Sequence, residues 1–226
     1  MEKSALKRIM NIDMKLIDSQ NLEQMGIYIK FNEENIFEAK AMIVGPPDSI
    51  YEDGYLFFSI QFPKNYPYSP PDVAYVSRNN IRIHPNLYVR GHSSGLGKVC
   101  LSILGTWSGP KWTTIMNIST VLMSIQSILD GNPLHNEPGQ EKNKGPMNDN
   151  YNEIVQYESM NTLLLKNLLD PPESYEIFMN DMIQEFTKNK ERLDTKIESW
   201  KQCKKNCSID VPIYRIKGQL NYDRLF

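Results

Sequence analysis

The sequence predicts an α+β fold on three observations. Apolar spacing is helical toward both ends of the chain, its period falls to that of strands in between, and the turns joining those strands are short enough to favour antiparallel pairing. Leu6, Ile9, Met10, Leu16 and Ile17 mark an amphipathic first helix over 4–19, with Lys3, Lys7, Arg8 and Lys15 left to water. Segments 27–32, 36–44, 55–62 and 72–77 are short and rich in β-branched and aromatic residues, and polar turns separate them, which predicts a four-stranded antiparallel meander. Stretch 81–111 holds Pro85, Gly91, Gly95, Gly97, Gly105, Gly109 and Pro110 with little periodicity and is expected to be a long ordered loop, a usual place for function. Helix resumes near Thr113 with Ile115, Ile118, Leu122, Ile125 and Leu129 on one stripe, and stops at Gly131-Asn132-Pro133. The polar stretch 140–150 is expected to be mobile, and a further helix is expected over 152–169.

Asp170-Pro171-Pro172-Glu173 then reads as a helix restart, with Asp as N-cap and Pro in the first turn. Tyr175, Phe178, Met179, Met182, Ile183 and Phe186 give the following helix a strong apolar stripe, which must pack on the core, on a second copy or on a partner. The division expected is a core domain at 1–169 and a helical extension at 170–226.

With 226 residues, 40% of them hydrophobic, the chain can bury one substantial core plus an appendage. A net charge of -2 with interleaved signs gives no footprint for nucleic acid or an anionic membrane, so the expected partners are proteins. No apolar run approaches the ~18 residues of a membrane span, and the start has no signal-peptide core. Three cysteines make no disulfide framework, and the expected location is cytoplasmic or nuclear. Cys203 and Cys207 are spaced i, i+4 but have no third or fourth ligand nearby, so neither a metal nor another cofactor is expected.

The chemistry-bearing segments are His84-Pro85-Asn86, Gly97-Lys98-Val99-Cys100-Leu101-Ser102-Ile103-Leu104, Trp112, and Asn132-Pro133-Leu134-His135-Asn136-Glu137-Pro138. Cys100 is the only cysteine in the loop region, where a thiolate could carry an acyl group. This order resembles the ubiquitin-conjugating enzyme family over about 5–169, and the run from Gly97 through Trp112, followed by that from Asn132 to Gly139, resembles its larger Z-type members and the conjugating domain of giant inhibitor-of-apoptosis proteins. Gly45-Pro46, Phe62-Pro63, Tyr66-Pro67 and Pro70-Pro71 agree with the pattern, Tyr66-Pro67 standing where the family often has a cis peptide.

The resemblance implies the ubiquitin-conjugating fold. It also implies that Cys100 takes ubiquitin or a ubiquitin-like protein from an activating enzyme as a thioester and passes it to a substrate lysine, usually with a ubiquitin ligase. Asn86 would be an amide donor to the tetrahedral oxyanion or a tie for the loop, two compatible roles. His84 and Pro85 would be structural. A Cys with a His also fits a hydrolase, but a carrier that activated water would destroy its cargo. At the lysine-facing position the usual Asp is missing; Asn136 is the first choice and His135 the second, against a plain turn role. Lys7 and Arg8 match the surface that meets the activating enzyme. Tyr68, Trp112, Thr113 and Thr114 match the ligase-facing loops, although Trp-Thr-Thr-Ile departs from the common Trp-Ser-Pro-Ala. A conjugating-fold binding module remains the third reading, opposed by the presence of Cys100 and Asn86.

Overall fold

The computed structural model describes residues 2–225. Helix α1 (Glu2–Arg8) passes through a π-type widening at Ile9–Asp13 into α2 (Met14–Ser19). Ile9 is buried and Lys7 exposed, as the amphipathic spacing requires, but Met10, expected on the apolar stripe, is 51% exposed where the π-type widening shifts the helix face, and Ala5 is buried instead. Strands β1 (Ile27–Phe31), β2 (Glu38–Val44), β3 (Tyr55–Gln61) and β4 (Asp72–Val76) form the expected antiparallel meander, with Ile27 opposite Ile43, Val44 opposite Tyr55 and Phe57 opposite Val76. The Tyr66-Pro67 peptide is cis.

Stretch 81–111 is more regular than expected. It contains β5 (Leu87–Gly91) and β6 (Gly97–Val99), and β6 pairs with β4 through Ala74 opposite Lys98, so one sheet of six strands runs in the order β1-β2-β3-β4-β6-β5. β6 is too short to show alternation, and the β5–β6 pairing slips between Leu87 and Gly91. Gly97 lets three strands close up: a Cβ there would lie 2.0 Å from the Tyr88 carbonyl oxygen and 2.9 Å from that of Tyr75.

Helix α3 (Ile118–Ser127) starts later than the apolar stripe predicts. Asn117 caps it by accepting from Thr120 N at 2.9 Å, and Ile115, which fits the stripe, lies outside at 84% exposure. Helix α4 (Pro146–Glu158) begins inside the stretch expected to be mobile, with Pro at its first turn, and continues through π-type turns at Ser159–Lys166 into α5 (Asn167–Leu169).

No helix restarts at Asp170. Its side chain pairs with Arg78 at 2.8 Å, the prolines disfavour helical geometry before them, and regular helix returns only at α6 (Met179–Cys203) after a tight turn at Glu176–Phe178. The extension is also not wholly helical, since β7 (Cys207–Val211) and β8 (Ile216–Leu220) form an antiparallel hairpin closed by Pro212–Tyr214.

The apolar stripe of the extension covers the chain's own sheet. Phe57 of β3 packs against Tyr175 and Phe178 at ring distances of 5.1 and 6.2 Å, Tyr55 donates its hydroxyl to Met182 O at 2.9 Å, and Tyr28 donates to Glu185 Oε1 at 2.8 Å. Phe58 points to the other face and meets Tyr75, so β3 is covered on both sides. Arg192 of α6 adds a salt bridge to Asp53 at 2.5 Å. Among the described residues no helix is long and apolar enough to cross a membrane.

Candidate active site

Cys100 directly follows β6, and both of its flanks are fixed. Its N donates to Asn86 O at 2.8 Å, while Asn86 Nδ2 donates back to Cys100 O at 2.7 Å. The Thr106 hydroxyl donates to Val99 O at 2.7 Å and accepts from Leu101 N at 2.9 Å, so the residues on either side of the cysteine share one staple. Asn86 keeps one amide hydrogen outside that pair, and its buried Oδ1 has no partner.

His84 and Pro85 are buried beneath this turn. His84 Nδ1 accepts from Asn86 N at 2.9 Å, which puts the ring proton on Nε2, and Nε2 donates to Ile128 O at 2.9 Å. Burial lowers its pKa from 6.5 to about 3, so the ring is neutral at pH 7. Both nitrogens are thus bonded to backbone. His84 anchors the loop, and a hydrolase mechanism is left without a base at this position.

Cys100 is only 2% exposed, and burial pushes its thiol above the ordinary cysteine range. Lys98, Arg82 and a hydrogen bond from Tyr88 pull it back down, and Glu137 pushes it up. Motif spacing did not mark Arg82, Tyr88 or Glu137 as residues that act on the thiol. Tyr88 lies two positions beyond Asn86, at the start of β5, which is the one local cue; Glu137 reaches the site only through the tertiary fold.

The turn Pro133–Asn136 follows α3 and carries the two residues expected to face an incoming lysine. His135 Nε2 donates to Asn143 O at 2.8 Å, and Asn136 Nδ2 contacts Pro133 O at 3.3 Å. Asn136 therefore closes its own turn, while His135 ties that turn to the segment before α4. Glu137 comes next and accepts from the Tyr214 hydroxyl at 2.6 Å. Among the described residues no three His, Cys, Asp or Glu side chains cluster as a metal site.

A sequence model of the ubiquitin-conjugating enzyme family matches residues 9–162, which takes in the sheet, Cys100, Asn86 and α3. The chain belongs to the ubiquitin-conjugating enzyme family. It is 38% identical to ubiquitin-conjugating enzyme E2 Z of Danio rerio over 162 residues, 70% of this chain and 48% of that protein. It is 37% identical to the Homo sapiens protein of the same name, covering 70% of this chain and 44% of the relative. Against probable ubiquitin-conjugating enzyme E2 25 of Arabidopsis thaliana the identity is 40%, over 67% of this chain and 25% of that one. The chain thus spans about half the length, or less, of the curated relatives it matches.

The residues that the ubiquitin-conjugating pattern assigns to partners differ in their availability. Lys7 is exposed, but Arg8 turns inward to Asp13 at 3.1 Å and to Met116 O at 2.8 Å. Tyr68 is 73% exposed, and Thr113, Thr114 and Ile115 stand in water beside a half-buried Trp112. Trp112 Nε1 donates to Pro67 O at 2.7 Å, tethering the two exposed loops to each other.

Proposed function

We propose that this chain accepts ubiquitin or a ubiquitin-like protein from an activating enzyme as a thioester on Cys100 and transfers it to a substrate lysine, usually with a ligase. The observation that carries the reading is the reciprocal bonding of Asn86 and Cys100 above a neutral, backbone-bonded His84. It holds one thiol in a rigid turn and leaves His84 no free nitrogen to activate water. In the charging step the Cys100 thiolate attacks the activating enzyme's thioester carbonyl, and that enzyme's thiolate leaves.

Asn86 ties the loop and offers its second amide hydrogen to the oxyanion, a contribution on the scale of ~2.7–4 kcal/mol for one preorganised donor. Lys7 contributes to the surface for the activating enzyme, with Arg8 shaping the helix from inside. Tyr68, Trp112, Thr113 and Thr114 form the ligase-facing surface. ATP is consumed upstream, by the activating enzyme. A cytoplasmic or nuclear location accompanies this reading, supported by three free thiols.

The test is incubation with activating enzyme, ATP and ubiquitin followed by a non-reducing gel. The expected band is heavier by one ubiquitin, disappears with thiol and is absent in Cys100→Ala; Cys100→Ser gives a thiol-resistant ester. No band with any activating enzyme, ubiquitin or ubiquitin-like, rejects the proposal.

A further inference from the structure

The C-terminal hairpin extends to the cysteine's neighbourhood. Its turn, Pro212–Tyr214, brings Tyr214 to Arg82, whose guanidinium carbon lies 4.8 Å from the Tyr214 ring centre and 3.7 Å from that of Tyr88. Tyr151 of α4, fully buried, tilts against Tyr214 at 5.4 Å and donates its hydroxyl to Arg82 O at 2.8 Å. Arg82 also donates to Pro85 O, next to Asn86. The cluster is therefore joined to the turn that fixes Cys100.

Glu137 is the anion of this cluster. Its Oε2 accepts from Tyr214 at 2.6 Å and stands 3.7 Å from Arg82 Nη2. Among the described residues no hydrogen bond is made to Oε1, and 23% of the side chain remains exposed. One carboxylate oxygen is held by the protein and the other is left for an incoming cation. His135 and Asn136, two and one positions earlier, each spend a side-chain nitrogen on a backbone carbonyl.

We propose that Glu137 receives the acceptor lysine at the Cys100 thioester, and that Tyr214, supplied by the C-terminal extension, is a positioning residue that fixes Glu137 together with Arg82. The inference rests on the transfer reading above. The lysine arrives as an ammonium ion, which Glu137 Oε1 holds by charge and hydrogen bonding. It loses one proton to water, its nitrogen lone pair forms the C–N bond, and the carbonyl π pair moves onto oxygen. Collapse breaks the C–S bond with its electron pair leaving on Cys100 Sγ. The nitrogen gives up a second proton through solvent, and the thiolate takes one back. The sum is ammonium plus thioester to amide, thiol and one released proton.

The experiment is a single-turnover chase of preformed thioester with either free lysine or 2-mercaptoethanol. Only lysine needs a carboxylate to orient a cation, whereas a general disturbance of the loop slows both nucleophiles. Glu137→Gln is expected to slow lysine discharge by roughly 100-fold. Tyr214→Phe keeps its ring on Arg82 and Tyr151 and is expected to slow lysine discharge about tenfold, with thiol discharge within about twofold of the unaltered chain for both variants. Glu137→Asp recovers part of the lysine rate. Equal losses for lysine and thiol, or lysine discharge at the unaltered rate in either variant, overturn the inference alone. Failure to form any thioester on Cys100 overturns the transfer reading and this inference with it.

Discussion

Asp13 Oδ1 accepts a hydrogen bond from Ile118 N at 3.0 Å, so a carboxylate at the end of the π-type segment satisfies the first amide of α3. The same oxygen accepts from Tyr66 at 2.5 Å and Oδ2 from Arg8 at 3.1 Å, with Asp13 fully buried. Asp13→Ala leaves an amide and a hydroxyl without their acceptor and the Arg8 guanidinium held only through Met116 O. It is expected to cost roughly 3–5 kcal/mol in urea unfolding. An unchanged midpoint and slope would refute the role.

His84 makes stability depend on acid. Its folded pKa is depressed to about 3 from 6.5, so below pH 6.5 the unfolded chain binds a proton that the folded chain refuses. The stability this group contributes is complete above pH 6.5 and is lost toward pH 3 at up to about 1.4 kcal/mol per pH unit. Urea midpoints from pH 7 to 5 should fall more steeply in the unaltered chain than in His84→Gln; equal slopes would contradict it.

Burial holds the Cys100 thiol up, so its alkylation by iodoacetamide at pH 7 is expected to lag well behind that of the exposed Cys203 and Cys207, and to accelerate as pH rises past the ordinary thiol range. Tyr88→Phe removes a bond that favours the thiolate and should shift the Cys100 profile to still higher pH. Peptide mapping of the alkylated chain reads all three sites; a Cys100 that reacts first would exclude this picture.

Gly97→Ala places a methyl group against two backbone carbonyls and must part β6 from its neighbours. Thioester formation and thermal stability are both expected to fall. At Gly131 the nearest atom to an added Cβ is Asp48 O at 4.0 Å, so Gly131→Ala is expected to stay within about 0.5 kcal/mol of the unaltered chain. Equal stabilities for the two variants would exclude crowding as the reason for Gly97.

Phe178 is fully buried between the extension and the sheet. Phe178→Ala is expected to cost about 3–5 kcal/mol and to make the extension more sensitive to limited proteolysis. Unaltered cleavage kinetics would mean that the extension is held by other contacts.

The first helix, the meander and the thiol loop were legible because each is encoded locally: helical spacing from Leu6 to Ile17, short β-branched runs, and the order His84, Asn86, Cys100. The run Tyr55-Leu56-Phe57-Phe58 also encodes its surroundings. A strand apolar at every position is covered on both faces, and that already pointed to the sheet as the destination of the Tyr175 stripe. The hairpin was visible in principle as well: Ile209, Val211, Ile216 and Leu220 are buried while Ser208, Asp210, Lys217 and Gln219 are exposed. Its turn ends on a left-handed Arg215, φ 52, in place of the Gly or Asn that would have announced it. Arg82, Glu137 and Tyr214 were not legible, because no spacing rule joins residues that only tertiary packing brings together.

The covered face of β3 also sets an order of events during synthesis. A nascent chain that has reached Leu169 has made every strand of the main sheet, yet Tyr55 and Phe57 still face water, because Tyr175, Phe178 and Met182 have not emerged. Until they do, the half-finished protein presents a sticky aromatic surface to chaperones and to other chains. The last quarter of the polypeptide ends that exposure.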